Sequence, residues 1–268
     1  MRGPERSLPP EQVVAEVRRL VALGYPEVVL CGVHLGSWGR DIGCSLAELV
    51  GALDGLPGRF RIRLSSIEPW GVDEALLAAM ARSPRVARHL HLPLQSGCDA
   101  TLARMGRPST TEAFAALLAR VRRHLPGATV GTDLIVGFPG EGEAEFEATM
   151  EFLRAQPIDL AHVFPYSPRE GTPAAAWQAP PQRVARERLG RVRELFAERR
   201  RAWLHRHLGC RLEVVTLGAD GDLTRALAGS YAPVRVEGVL PAASLVDVVV
   251  DGVDGGVLHA RPAGLNRL

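Results

Sequence analysis

The chain has 268 residues, 46 % of them apolar and 23 % charged, an ordinary balance for a globular protein long enough to bury one or two cores. No apolar run approaches the roughly 20 residues of a membrane span. The opening Met1-Arg2-Gly3-Pro4-Glu5-Arg6 lacks the apolar core of a signal peptide, so a cytoplasmic location is expected. Net charge is only +2, which excludes a polycation, although all 32 Lys/Arg positions are arginine.

In chain order, Pro9 and Pro10 lead into a helical stripe of Val13, Val14, Val17, Leu20 and Val21. A predicted strand at 27–31 ends in the turn Gly32-Val33-His34-Leu35-Gly36-Ser37. Leu46, Leu49, Val50 and Leu53 mark a second helix, and strand 60–64 closes on Ser65-Ser66-Ile67-Glu68-Pro69. A helix at 74–80 precedes strand 88–94 and the turn Gln95-Ser96-Gly97. Ser109-Thr110-Thr111-Glu112 is a capping-box pattern that opens a helix with Phe114, Leu117, Leu118 and Val121 on one face. Strand 128–136 runs into Gly137-Phe138-Pro139-Gly140-Glu141, then come helix 143–153, strand 159–164 and the turn Tyr166-Ser167-Pro168-Arg169. A long arginine-rich helix covers about 181–207, and ten arginines fall between Arg183 and Arg211. Such a stripe is either a solvated helix face or a surface for phosphates.

Repeating βα units imply a parallel sheet with right-handed crossovers, either open or closed into a barrel. Ligands of such sheets lie beyond the carboxyl ends of the strands, and each predicted strand here ends in a polar turn. His89 and His91 alternate on one strand and so face the same side. That suits a metal pair or a barrel interior, and no third ligand is evident. The turn 137–141 superficially resembles a phosphate loop but lacks the Lys-Ser/Thr of that motif. Cys31, Cys44, Cys98 and Cys210 form no close pair, so they read as buried or incidental thiols rather than disulfides or metal ligands. Beyond Cys210 the predicted strands 212–217, 234–236, 245–250 and 256–260 are separated by Asp-Gly turns. They describe a small all-β domain, of a kind that often binds RNA.

The stretches 2–7, 32–39, 65–69, 89–97, 132–141 and 163–173 together resemble the radical-SAM methylthiotransferases, which insert sulfur and a methyl group into a C–H bond. The C-terminal segment resembles the RNA-binding TRAM barrel of that family. The implied fold is α/β: a partial (β/α) TIM-like barrel of the radical-SAM type lacking its first strand at 1–206, then a small all-β TRAM-like barrel at 207–268. The turns 32–37 and 65–69 look like the branch that methylthiolates threonylcarbamoyladenosine at tRNA position 37. The isopentenyladenosine branch is the alternative, and a non-catalytic tRNA-binding fragment is another.

The resemblance implies S-adenosyl-L-methionine as cofactor, held by Gly32, His34, Gly36, Glu68, Gln95, Ser96, Asp133, Val136, Gly137 and Tyr166. It implies the tRNA anticodon stem-loop as partner, gripped by Arg199, Arg200, Arg201, Arg206 and Arg211; the sequence does not fix the oligomeric state, for which a monomer is the expectation. In the family, Arg-Gly-x-x-Arg-Ser follows a CxxxCxxC loop that carries a 4Fe-4S cluster. Here Arg2-Gly3-Pro4-Glu5-Arg6-Ser7 follows Met1 and the four cysteines match no ligand position. The expectation is an N-terminally truncated chain, inactive alone, with no metal ligands and one unpaired sheet edge.

Overall fold

The computed structural model describes residues 5–264, so Arg2, Gly3 and Pro4 of the opening motif lie outside the described residues. Helix α1 (Pro10–Ala22) starts on a proline, whose missing N–H falls where the first turn has no acceptor, and it buries Val17. Strand β1 (Glu27–Leu30) pairs in parallel with β2 (Arg61–Leu64). A second parallel set has the order β3 (His89–His91), β4 (Thr129–Val136), β5 (Leu160–Pro165). One bridge, Ile62 to Val86, links the two sets.

The crossovers are helical: α2 (Leu46–Asp54), α3 (Glu74–Arg82), α4 (Asp99–Arg104), α5 (Thr111–His124) and α6 (Glu143–Ala155). Their starts are fixed by side chains. Ser45 and Glu48 form a reciprocal capping box, while Asp73 and Thr110 accept from Leu76 N and Ala113 N. The apolar faces read from the sequence close on one another around Ile62, Leu77, Met80, Leu90, Phe114 and Phe146, each at most 1 % exposed.

β3 is shorter than the predicted 88–94. Pro93 has no N–H to donate, and Gln95 adopts φ 75°. Single bonds carry the pairing onward instead, from Leu92 N to Gly131 O and from Gln95 N to Asp133 O, both 2.8 Å.

Helix α7 (Gln182–His205) leads to five further strands: β6 (Arg211–Asp220), β7 (Leu223–Ala228), β8 (Pro233–Glu237), β9 (Leu245–Asp254) and β10 (Val257–Pro262). They close as a barrel in the order β10-β8-β7-β6-β9. β7 is absent from the sequence reading because Leu-Thr-Arg-Ala-Leu-Ala lacks a β-branched run. Its inward Thr224, Ala226 and Ala228 are small enough for a narrow barrel. Trp203 and Leu204 at the end of α7 belong to this second core, with Val214, Val236 and Leu258.

The barrel meets the parallel strands at their first residues. Arg61, opening β2, donates to Glu213 O and Leu227 O at 3.0 Å each. Arg63 reaches Ala228 O and Gly229 O. Trp203 Nε1 donates to Thr129 Oγ1, at the start of β4, at 2.9 Å.

Candidate functional site: a polar chamber

A barrel packed as a core is filled by branched apolar side chains. The parallel strands of this chain instead turn Glu27, Arg63, His89, His91, Asp133, His162 and Phe164 inward, around a cavity of about 1130 Å³. Period-2 alternation puts them there, since β-strand neighbours point to opposite faces. One side is closed by α7 through Arg193, Phe196, Ala197 and Arg200, a helical i, i+3, i+4, i+7 stripe. The floor is supplied by Leu227, Tyr231 and Pro233 of the closed barrel.

Glu27 receives both Arg61 and Arg63, the latter at 3.0 Å through two nitrogens. Burial alone would raise its carboxyl, but the Arg63 hydrogen bond and the two positive charges hold it below the usual range. His89 is stacked on Tyr231 with ring centroids 4.9 Å apart, and its Nδ1 is buried without a hydrogen-bond partner. Burial, helped by the Arg63 charge, lowers the His89 pKa to about 3. His91 Nε2 lies 3.1 Å from Asp133 Oδ1, and the His162 ring centroid is 5.6 Å from that of His91. Gly131 makes this possible, because a Cβ there would stand 3.0 Å from His91 Nδ1. A glycine inside a strand signals such an approach. That signal points to a close approach at β4, while His162 is brought to the cluster by the register of β5 opposite Asp133.

Of the cofactor residues implied by the resemblance, Asp133 alone lines this chamber. Gly32 and His34 line a second, more apolar cavity of about 820 Å³ between α1 and β1, where His34 Nδ1 meets Glu5 Oε1 at 2.6 Å. Gly36 is explained by chain packing: a Cβ would stand 2.7 Å from Gly71 Cα. Glu68 accepts from Arg107 at 2.8 Å, and that guanidinium also lies over Trp70. Ser96 is 2 % exposed and faces Thr149 Oγ1, so its hydroxyl is turned into the core, not toward a ribose. Gln95 remains at the strand end with its backbone in the β4 pairing. Val136 is buried, and Gly137 gives way to Ala185 of α7, which a Cβ would approach to 2.9 Å. Tyr166 packs edge-on against Phe138 with its hydroxyl buried and unbonded.

The turn at 137–141 is no phosphate loop: Glu141 accepts from Gly137 N at 3.2 Å and pairs with Arg188 at 2.7 Å, so its own carboxylate occupies it. Burial pushes Glu141 up against the opposing Gly137 and Arg188 contacts.

The arginine stripe is largely committed to the protein. Arg199 donates to the carbonyls of Arg154, Gln156 and Ile158, closing the end of α6, so it is not an RNA-facing residue. Arg206 pairs with Asp159, and Arg211 with Asp247 at 3.3 Å, though both side chains stay mostly exposed. Arg200 donates to Gly256 O and faces the chamber. Arg201 is exposed.

The cysteines are free and not buried: Cys31 and Cys210 are exposed, Cys44 and Cys98 intermediate. Among the described residues no three His, Cys, Asp or Glu side chains converge as a metal-binding set. Those residues do not fit a 4Fe-4S cluster. No helix is long and apolar enough to cross a membrane among the described residues.

The family model of the radical SAM superfamily matches residues 1–153. The threonylcarbamoyladenosine tRNA methylthiotransferase MtaB of Thermotoga maritima is 40% identical over 190 residues, covering 70% of this chain and 44% of that protein. Its Bacillus subtilis counterpart is 42% identical over 194 residues, 71% of this chain and 43% of that protein. The tRNA-2-methylthio-N(6)-dimethylallyladenosine synthase of Bifidobacterium longum is 36% identical over 268 residues, 97% of this chain and 55% of that protein. The chain thus spans about half the length of the curated relatives it matches. Among solved structures, the radical SAM enzyme coproporphyrinogen III oxidase (HemN) from Escherichia coli superposes with TM-score 0.55 at 11% identity, over 90% of this chain and 60% of that one. Methylornithine synthase (PylB) gives 0.50 at 17%, over 74% and 56%. At those identities the likeness concerns the fold alone.

Proposed function

This chain belongs to the radical SAM superfamily, and from that premise we propose that it serves tRNA modification, as part of a methylthiotransferase acting on threonylcarbamoyladenosine at tRNA position 37. The observation that carries the reading is the polar chamber of about 1130 Å³, which offers room and charge where a packed barrel would have neither. The turns 32–37 and 65–69 favour the threonylcarbamoyladenosine branch. The alignment over 97% of the chain with a dimethylallyladenosine synthase supports the isopentenyladenosine branch as the second reading.

The chamber suits S-adenosylmethionine in size and donor chemistry. Asp133 is the acceptor on its wall for an ammonium or ribose hydroxyl, oriented by His91 at 3.1 Å. When bound, that cofactor would supply the transferred methyl group. The protein's own residues exclude water and hold the reacting groups in place. The closed five-stranded barrel is read as a TRAM-like RNA module, and exposed Arg201 as a contact to the anticodon stem-loop. The setting is cytoplasmic and the chain monomeric.

The test is binding of three anticodon stem-loops that differ only at position 37: threonylcarbamoyladenosine, isopentenyladenosine and adenosine. Tightest binding of the first is expected. Tightest binding of the second moves the assignment to the other branch, and three equal affinities remove the modified adenosine from the proposal.

A further inference from the structure

The chamber holds more positive than negative charge once its internal pairs are counted. Glu27 is taken by Arg61 and Arg63, and Asp133 by His91. Arg200 gives one N–H to Gly256 O and lies over Trp203. Arg193, on the α7 wall, has no ion-pair or hydrogen-bond partner among the described residues and is exposed to the chamber. An arginine placed on a concave wall without a carboxylate is a fork for an anion.

A second, independent feature faces the same space. Phe164 on β5 keeps 52 % of its surface exposed although it lines the chamber. Its strand partner Ile135 belongs to β4, and His162 precedes it on the inward face. A large ring left open in a cavity, with no ring contact of its own among the described residues, is a stacking surface for a flat ligand.

We propose that Arg193 and Phe164 form a subsite for one nucleotide of a single-stranded RNA segment inside the chamber. The guanidinium takes the phosphate and the ring lies against the base. The inference rests on the tRNA reading above and adds to it the residues that hold the backbone of the entering nucleotide. Within that reading Arg193 is a positioning residue, since it fixes the phosphate and not the reacting carbon.

The full chain is titrated by calorimetry with adenosine, adenosine 5′-monophosphate and a five-nucleotide single-stranded RNA centred on adenosine. The monophosphate is expected to bind about tenfold more tightly than adenosine, as a charge-assisted phosphate contact requires. Arg193→Gln removes that advantage. Phe164→Ala weakens adenosine and the monophosphate by the same factor. Arg82→Gln, the same charge change on α3 and away from the chamber, leaves every affinity unchanged. Equal binding of adenosine and the monophosphate overturns the subsite, as does an equal loss in the Arg82 variant. An oligonucleotide tighter than the monophosphate and weakened by Arg193→Gln supports RNA as the source; an oligonucleotide insensitive to that change overturns the RNA assignment in favour of a free mononucleotide. If stem-loops bind normally while Arg193→Gln and Phe164→Ala do nothing, the subsite falls and the tRNA reading stands. If the monophosphate behaves as expected and no stem-loop binds, the tRNA reading falls.

Discussion

Tyr231, on the turn between β7 and β8, lies stacked on His89 at the head of β3, with the ring planes 20° apart. The tyrosine is held at φ 69°, a conformation few side chains adopt without support, and Arg63 stands 5.1 Å from its ring centroid. One aromatic pair thus joins the closed barrel to the parallel strands.

That pair makes stability acid-sensitive. The unfolded chain protonates His89 near its ordinary value, whereas the folded chain resists protonation until about pH 3. The contribution is therefore complete above the unfolded pKa and is lost as pH falls through the window between about 6.5 and 3. Over that window the loss is on the order of a few kcal/mol. His89→Gln removes the titration, and urea denaturation at neutral and acid pH should show a flatter acid limb than the parent. Identical limbs would refute the neutral, buried state of His89.

Glu27 should be the costliest charge to remove. Glu27→Gln leaves two buried guanidiniums without their carboxylate, a change typically worth about 3–5 kcal/mol. Arg61 and Arg63 also hold the carbonyls of Glu213, Leu227, Ala228 and Gly229. Thermal melting of the variant should therefore show both a lower midpoint and faster proteolysis between α7 and β6. A melting curve like the parent's counts against the triad.

Two glycines should respond with opposite sign. Gly36→Ala drives a Cβ to within 2.9 Å of Gly71 backbone atoms, so something must move, at about 1–3 kcal/mol. Gly51 lies inside α2 with nothing within 4 Å of its Cβ position. There Gly51→Ala gains helix propensity, about 0.5–1 kcal/mol. Denaturant midpoints on the two variants check the pair, and a shift in the same direction for both contradicts the packing described.

Arg199 and Arg201 should divide stability from RNA affinity. Arg199→Met deprives the α6 terminus of three donors and should lower stability by about 1–3 kcal/mol while stem-loop affinity holds. Arg201→Gln should leave the melting temperature unchanged and weaken stem-loop binding by severalfold, more at low salt. Loss of RNA affinity in the first variant alone would reverse their roles.

Much of the scaffold was readable because its signals are local. Helical periodicity marked the apolar faces of α1, α2 and α5. The Ser109–Glu112 pattern placed the start of α5 one residue from its actual cap, Thr110, which accepts from Ala113 N, so the box read with Ser109 and Glu112 is not the one that forms. β7 and α4 were not readable, since an Ala-rich strand and a six-residue helix carry little pattern of their own. The site was harder to place. Ser96, Gly36 and Gly137 stand in polar turns, which suggests ligands, yet their partners Thr149, Gly71 and Ala185 come from distant segments. His162 needed the register of β5 on β4, opposite Asp133, before its inward position had meaning. Likewise a run of arginines reads as surface charge until each guanidinium's acceptor is known.

The floor of the chamber also fixes an order of events. All five parallel strands precede α7 in the chain, but Leu227, Tyr231 and Pro233 belong to the segment synthesised after them. On the ribosome, where domains generally fold N-terminal first, the strands that line the lumen therefore emerge before α7, which closes its side, and before the residues of its floor. The lumen gains its bottom only when the β7–β8 segment has closed against Arg61, Arg63 and His89, so enclosure comes after the strands that line it are made and is not a property of those strands.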